Sequence, residues 1–338
     1  IVSEASLQKD YLHETVSTVY FGGGTPSILE ADDIKLIMEK LYDNFFIDAD
    51  IEITLEANPD DIDEKKLSSW KALGINRLSI GVQSFFDEDL QWMNRAHNAA
   101  QSIHCIQLAQ DKGFSNISID LIYGVPGLSD DRWKANVDTS ISLNIPHLSC
   151  YALTVEPATA LDKMIKLHKK ENTDSEMQSR QFKQLMQWLR SAGYMHYEIS
   201  NFAKPGMQSK HNSSYWQGKS YLGLGPSAHS FNGESRQWNI SNNSLYIKKI
   251  EGGEVPFEKE ELTSDQKQNE YIMTSLRTAE GISLHYLKEK FGHTSYERVM
   301  NLSSVYIKQE LMIADKDHLI LTDEGKLFAD GIAADFFV

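Results

Sequence analysis

The chain alternates between short apolar runs and amphipathic stretches. The runs are rich in β-branched residues and apolar on both faces, which is typical of buried parallel strands. The stretches between them carry apolar residues at helical spacing. Repeated strand–helix units imply right-handed crossovers and a parallel sheet, either open or barrel-like. The predicted strands are 16–21, 51–55, 77–82, 117–122 and 147–153, and the predicted helices are 30–45, 63–73, 99–112, 130–143 and 174–192.

The later part of the chain departs from this rhythm. Residues 200–262 are rich in Ser, Asn, Gly and aromatic residues, and they predict long irregular loops with a few short strands. Residues 264–338 predict three helices, a hairpin at 312–321 and a last helix, an order that resembles a winged-helix domain. We therefore expect three parts: an α/β domain over 1–200, an irregular connecting region over 201–262 and a smaller winged-helix-like domain over 263–338.

Composition and charge exclude several classes of protein. The 338 residues are 41% hydrophobic and 24% charged, as in an ordinary folded domain. The net charge of 33 − 48 = −15 argues against sequence-independent nucleic-acid binding and against docking on anionic lipid. No apolar run is long enough for a transmembrane helix. Two widely separated cysteines form neither a disulfide framework nor a C-x-x-C pair, and with no signal peptide visible we expect a cytoplasmic protein.

Polar and glycine residues follow successive predicted strands. Gly22–Gly24 follow the first strand, Glu56 the second and Gln83 the third, while Asp120 lies in the fourth. Parallel α/β folds place their sites at the carboxyl ends of strands. Three consecutive glycines allow close approach of the backbone to a ligand, although they also suit a tight turn.

Four polar side chains near these strand ends can surround one small zwitterion. Carboxylates would hold an ammonium or ribose hydroxyls, and an arginine would bind a carboxylate through two parallel hydrogen bonds. Each residue alone is as readily a surface or capping residue, but their shared position at strand ends favours a ligand site. The four are Glu56, Gln83, Arg95 and Asp120.

The motifs GGGTP, LEANP, GVQS and DLIYG, together with Arg95, resemble the radical S-adenosylmethionine superfamily. Within it, the chain most resembles oxygen-independent coproporphyrinogen III oxidase and its relatives over nearly its whole length. The resemblance implies a partial (β/α)6 barrel that binds S-adenosylmethionine at the carboxyl ends of its strands. It also implies that His229, in a Gly-rich stretch that is otherwise a simple turn, lies near the barrel mouth. The implied cofactor-binding residues are Gly23, Gly24, Thr25, Glu56, Gln83, Arg95, Asp120, Ala152 and His229.

The chain departs from this superfamily at one motif. The superfamily binds a [4Fe–4S] cluster with C-x-x-x-C-x-x-C after its first strand, and this chain has only Cys105 and Cys150, both predicted to lie in the core. The run VSTVYF matches the superfamily's second strand. We therefore expect an α/β barrel lacking its first strand, with the cluster present only in a full-length chain that carries the missing N-terminal cysteines.

A second motif lies at His211-Asn-Ser-Ser-Tyr215-Trp216. A neutral imidazole can bind haem iron, and aromatic rings can stack on a porphyrin. The haem chaperone branch of the superfamily, the HemW type, carries H-N-x-x-Y-W here, and the resemblance links this motif to haem. It implies His211 as the iron ligand with Tyr215 and Trp216 beside the macrocycle; a packed loop with a capping histidine is the structural alternative.

Three functions follow from these observations. By resemblance, the first is a haem chaperone that takes haem from a donor such as bacterioferritin and passes it to haem-requiring respiratory enzymes. The resemblance implies a homodimer, and we assign no catalytic residue. The second is a coproporphyrinogen III oxidase that decarboxylates propionates through a 5′-deoxyadenosyl radical. The third is a winged-helix regulator that senses a nucleotide, which the negative charge disfavours.

Overall fold

A curled, seven-stranded half-barrel sheet dominates the computed structural model, which describes residues 1–338. Its strands lie in the order β1-β2-β3-β4-β5-β7-β6. Neighbours from β2 to β5 are parallel, and β7 is antiparallel to both β5 and β6. The strands are β1 (Val16–Phe21), β2 (Ile47–Ala57), β3 (Arg77–Gln83), β4 (Asn116–Tyr123), β5 (His147–Ala152), β6 (Met195–Glu198) and β7 (Asn201–Ala203).

Eight helices connect or precede these strands. The five predicted helices are confirmed, and three short ones at 2–7, 87–92 and 160–166 were not predicted because each is too short to show helical periodicity. Polar side chains cap several of the predicted helices; Asn98, for example, forms a capping box with Gln101. The helices are α1 (Val2–Leu7), α2 (Ala31–Asn44), α3 (Glu64–Ala72), α4 (Asp87–Trp92), α5 (Ala99–Asp111), α6 (Asp130–Ser142), α7 (Ala160–Lys166) and α8 (Ser175–Ser191).

Residues 200–262 are more regular than expected. The few short strands expected there are present, as a three-stranded antiparallel sheet in the order β10-β9-β8, but the stretch also holds two helices where loops were predicted. The two helices are only seven and nine residues long, so the local pattern gives little sign of them. The elements of this stretch are α9 (Lys210–Trp216), β8 (His229–Phe231), β9 (Ser235–Asn239), α10 (Asn243–Glu251) and β10 (Phe257–Glu261).

The last 75 residues follow the winged-helix order. Three helices precede a hairpin and a final helix, as predicted, and a two-residue strand completes the antiparallel order β11-β13-β12. The elements are α11 (Ser264–Leu276), β11 (Ile282–Ser283), α12 (Leu284–Phe291), α13 (His293–Lys308), β12 (Met312–Asp315), β13 (His318–Leu321) and α14 (Ala329–Asp335).

The chain divides into two compact units. One comprises 1–20, 29–53 and 210–338, and the other comprises 21–28 and 54–209. The core of the second unit includes Cys105 and Cys150, both buried as predicted, and burial raises the pKa of each thiol. None of the helices has the length and apolar character needed to cross a membrane.

A buried carboxylate holds α1 in the first unit. The Glu4 side chain is fully buried and accepts a hydrogen bond from the backbone N–H of Gly225 at 2.7 Å. It also accepts from the amide of Asn239 at 2.6 Å and from the hydroxyl of Tyr246. These donors offset the cost of burying the charge, so α1 is tied to the Gly-rich segment and to α10.

Replacing Glu4 by alanine is expected to destabilise the first unit by about 3 kcal/mol, because three buried donors lose a charged acceptor. Urea unfolding followed by circular dichroism measures this as a lower midpoint. Glu14→Ala, which removes an exposed carboxylate nearby in the sequence, serves as the control. Equal midpoints for the two variants would contradict the anchoring role of Glu4.

Candidate functional site

The register of the sheet brings the predicted residues of the second unit to one edge. Glu56 pairs with Ser79 one residue before the end of β2, and Ala152 pairs with Tyr123 at the ends of β5 and β4. Gln83 ends β3. The carboxyl ends of parallel strands meet at one edge, so these positions share one edge of the sheet, which we call the strand-end site; their role in binding a cofactor stays a prediction.

The glycine loop after β1 belongs to the same unit and the same site. Gly23 and Gly24 have φ values of +75° and +88°, and a side chain on either would point into open space. Their conformation therefore reflects the backbone path and not crowding by neighbouring side chains. The N–H of Gly23 donates to Glu56 at 3.3 Å, and the carbonyl of Thr25 accepts from Ile28 to close the turn.

Gln83 and Arg95 lie together above Gly81. A Cβ atom at Gly81 would approach Gln83 Nε2 at 3.2 Å and Arg95 Nη2 at 3.4 Å, so a larger residue there would require these side chains to shift. Arg95 Nη2 donates to Asn58 Oδ1 at 2.8 Å and to the Gly81 carbonyl. Gly81 and Asn58 were missed from the sequence; both lie within the quoted motifs GVQS and LEANP.

Two polar atoms of this pair are buried without a hydrogen-bond partner, namely Gln83 Oε1 and Arg95 Nε. Gln83 also has φ = +64°, a strained conformation for a residue other than glycine. Orphaned buried polar atoms are rare in native structures and are often satisfied by a ligand or water. The residues present therefore fit a small polar ligand with both donors and acceptors, such as the nucleoside and amino-acid groups of S-adenosylmethionine.

Asp120 provides an acidic group at the same edge. Burial and, to a smaller extent, the charge of Glu56 raise the pKa of its carboxyl to about 7. A hydrogen bond with Ser149 and the charge of Arg95 act in the opposite direction and lower the pKa. The structure thus brings Glu56, Arg95 and Asp120 within electrostatic reach of one another. Ser149 was missed because a serine inside an apolar strand carries no sequence signal of its own.

The residues present do not fit an iron–sulfur cluster. The chain has two cysteines, both buried and unpaired, in α5 and β5. No group of three or more His, Cys, Asp or Glu side chains is arranged to hold a metal ion. The residues of this chain therefore offer no site for a cluster.

The predicted haem motif forms α9 in the first unit, where sequence reasoning expected a loop. Nδ1 of His211 lies 3.0 Å from the hydroxyl of Thr18, and Nε2 lies 3.1 Å from the hydroxyl of Tyr215. The imidazole stacks on Tyr20 with ring centroids 4.6 Å apart. Burial lowers the pKa of His211 to about 4, so the ring is neutral at physiological pH.

A carboxylate from the sheet fixes the start of α9. Glu52 in β2 is 5% exposed and accepts from the backbone N–H groups of Lys210, at 3.2 Å, and His211, at 3.0 Å. These are orphan donors of the first helical turn, which a negative charge satisfies. Glu52 was missed from the sequence, although an acidic residue inside an apolar strand run is unusual enough to indicate a buried polar contact.

The other two predicted aromatic or histidine residues lie in the same unit. The guanidinium carbon of Arg277 lies 5.2 Å from the ring centroid of Trp216. The indole Nε1 of Trp216 is buried without a hydrogen-bond partner. His229 begins β8, is exposed, and stacks loosely on Trp238. Its predicted place at the barrel mouth stays a prediction.

Sequence comparisons relate the chain to known proteins. The Radical SAM superfamily profile matches residues 4–139, and the HemN C-terminal domain profile matches residues 262–328. The heme chaperone HemW of Mycobacterium tuberculosis is 32% identical over 319 residues, which cover 94% of this chain and 80% of that protein. The chain belongs to the HemW family. The heme chaperone HemW of Bacillus subtilis is also 32% identical, over 95% of this chain and 85% of its own length.

A solved structure supports the fold of this HemW-family chain. Coproporphyrinogen III oxidase (HemN) from Escherichia coli, described as a radical SAM enzyme, superposes with a TM-score of 0.83 over 99% of this chain and 82% of that chain. The two sequences are 23% identical, so this likeness concerns the fold alone. It confirms the predicted fold class, an α/β partial radical-SAM barrel with a smaller C-terminal domain.

The neutral state of His211 generates a pH prediction. Its pKa of about 4 in the folded chain lies below its ordinary value near 6.5, so the unfolded chain binds this proton more readily. The contribution of His211 to stability is therefore complete above pH 6.5 and falls as the pH drops toward 4. Nuclear magnetic resonance titration, with the signal assigned through His211→Gln, is expected to give a midpoint well below 6.5. A midpoint at or above 6.5 would refute the buried, neutral ring.

Proposed function

We propose that this chain is a haem chaperone that binds haem at α9 and S-adenosylmethionine at the strand-end site, and passes haem to haem proteins. The observation that carries the haem part is the paired His211 imidazole and Tyr215 phenol, which lie against one another on a helix fixed by Glu52. We call them the imidazole–phenol pair. Both groups are known types of haem ligand, and the relatives' name, heme chaperone, supports haem as the cargo.

The aromatic surroundings suit a flat apolar macrocycle. Tyr20, Tyr215 and Tyr221 form a continuous set of ring contacts with His211, at centroid distances of 4.6 to 5.0 Å. Aromatic rings offer large, rigid contact area at little entropic cost. In this proposal His211 and Tyr215 are the candidate axial ligands, and Trp216 flanks the macrocycle.

The strand-end site is proposed to hold S-adenosylmethionine. Arg95 Nε would donate a hydrogen bond to the ligand and Gln83 Oε1 would accept one, since both atoms lack a partner in the protein. Glu56 and Asp120 would face the ammonium group or the ribose hydroxyls. Gly23 and Gly24 would allow the ligand to approach the backbone closely, and Thr25 and Ala152 would lie at the edge of the site. S-adenosylmethionine bound to a cluster supplies radical chemistry in this superfamily. The residues of this chain account for binding and orienting the ligand.

Delivery requires partners. In this proposal the acceptors are haem-requiring respiratory enzymes and the donor is a storage protein such as bacterioferritin, with exchange in the cytoplasm and a homodimer as the acting species. The alternative activity, decarboxylation of coproporphyrinogen III by a 5′-deoxyadenosyl radical, would use the same strand-end site. The imidazole–phenol pair at α9 and the name of the relatives, heme chaperone, favour the haem chaperone over this alternative.

The haem part is tested by titrating the chain with ferric haem and following the Soret absorbance. We expect saturable one-to-one binding that weakens at least about tenfold in His211→Ala, because the imidazole takes part whichever atom binds iron. His293→Ala, which removes an exposed histidine on α13, is the matched control. Binding that is absent, or unaltered by His211→Ala, would refute haem capture at α9.

The cofactor part is tested by calorimetric titration with S-adenosylmethionine. Arg95→Ala is expected to weaken binding about tenfold, since the variant loses a partly buried guanidinium that would contact the ligand. Arg180→Ala removes the same charge from an exposed ion pair with Asp130 in the same unit and serves as the control. Equal affinities for the two variants would remove Arg95 from the site.

A further inference from the structure

Both ring nitrogens of His211 are already engaged. Nδ1 faces the Thr18 hydroxyl at 3.0 Å and Nε2 faces the Tyr215 hydroxyl at 3.1 Å. One face of the ring is covered by Tyr20, with an interplanar angle of 16°. For iron to reach either nitrogen, one of these hydrogen bonds must break and the covering hydroxyl must move away.

Tyr215 is the more accessible member of the pair. Its side chain is 39% exposed, whereas His211 is half-buried. Its ring meets His211 edge-on at 5.0 Å and Tyr221 at 4.8 Å, so the phenol is held between two rings. A macrocycle that arrives from solvent therefore meets the Tyr215 oxygen before it meets the imidazole.

We propose that the phenol oxygen of Tyr215, rather than a nitrogen of His211, is the atom that binds the iron of ferric haem, with His211 as its hydrogen-bonded positioning partner. This inference rests on the proposed function, because it names the ligand atom within the same site. Tyrosinate is a known axial ligand of haem iron.

The binding step balances without a redox change. The bond between iron(III) and the Tyr215 oxygen forms, the phenol O–H bond breaks, and the proton is released to the solvent to which Tyr215 is exposed. In the neutral tautomer with its proton on Nε2, His211 donates to the Tyr215 oxygen and accepts from the Thr18 hydroxyl at Nδ1, which the hydrogen-bond network allows. The product is an iron-bound phenolate that accepts a charge-assisted hydrogen bond from the neutral His211 ring.

The proposal predicts a preference for the ferric state. A phenolate is a hard, anionic ligand, and it suits iron(III) better than iron(II). Chemical reduction of the loaded protein is therefore expected to release haem. A neutral nitrogen ligand would retain haem in both states.

Removal of the phenol hydroxyl separates the two assignments. In Tyr215→Phe, a tyrosinate ligand is lost, so we expect binding to weaken at least about tenfold and the phenolate-to-iron charge-transfer band to disappear. If His211 were the ligand, the same variant would uncover Nε2 and leave affinity equal or higher. Tyr42→Phe, which removes the hydroxyl of an exposed tyrosine on α2, is the matched control.

Two further variants keep the test informative. His211→Ala is expected to weaken binding while the phenolate band persists, and Tyr215→His is expected to bind haem with a nitrogen-ligand spectrum in its place. Circular dichroism confirms that each variant is folded before titration. A wild-type spectrum without the phenolate band, or Tyr215→Phe that binds like wild type, would overturn the Tyr215 assignment and leave haem capture intact. Absence of haem binding by the wild-type chain would overturn the proposed function itself.

Discussion

The buried carboxylate of Glu52 determines where the imidazole–phenol pair lies. It belongs to a strand, yet its two oxygens accept the first backbone N–H groups of a helix that begins 158 residues later. A charge placed in a sheet is costly unless its hydrogen-bonding capacity is filled, so strand and helix start depend on each other. The orientation of His211 and Tyr215 follows from that contact, since they lie on the first and second turns of the same short helix.

The strand-end site depends on a different constraint, the geometry of parallel strands. Because β2 to β5 run in one direction, residues that are far apart in the sequence reach one edge without any special contact between them. The second feature of this site is the small space above Gly81, where Gln83 and Arg95 each carry a buried polar atom without a hydrogen-bond partner. The two sites thus arise by different means: one from topology, and one from a single long-range hydrogen-bonded anchor.

This difference explains how much could be predicted from the sequence. Five of the seven strands of the main sheet and most of their helices follow from apolar periodicity, and the parallel order that it implies places Glu56 and Gln83 at strand ends and Asp120 within β4. The short strands β6 and β7 were not predicted. The helical state of Lys210–Trp216 could not be predicted, because a seven-residue segment is stable only when distant groups satisfy its ends. Glu52 and Thr18 were missed for the same reason. Both contact His211, which is distant in the sequence, and no local pattern predicts that contact. The aromatic residues of the motif were identified by resemblance, and their arrangement around His211 required the structure.

The division of the chain has a consequence for biosynthesis. The second unit is nearly continuous, and its segment 54–209 leaves the ribosome as one piece that can fold while synthesis proceeds. The first unit is assembled from three separate segments, so residues 1–20 and 29–53 can pack in their final positions only after residues 210–338 have been synthesised. Glu4 is a fully buried acid in the finished protein, but its partner Tyr246 is translated 242 residues later. Until Tyr246 has been synthesised, Glu4 lacks one of the donors that its burial requires, so the first unit completes its folding only after the second unit has been made.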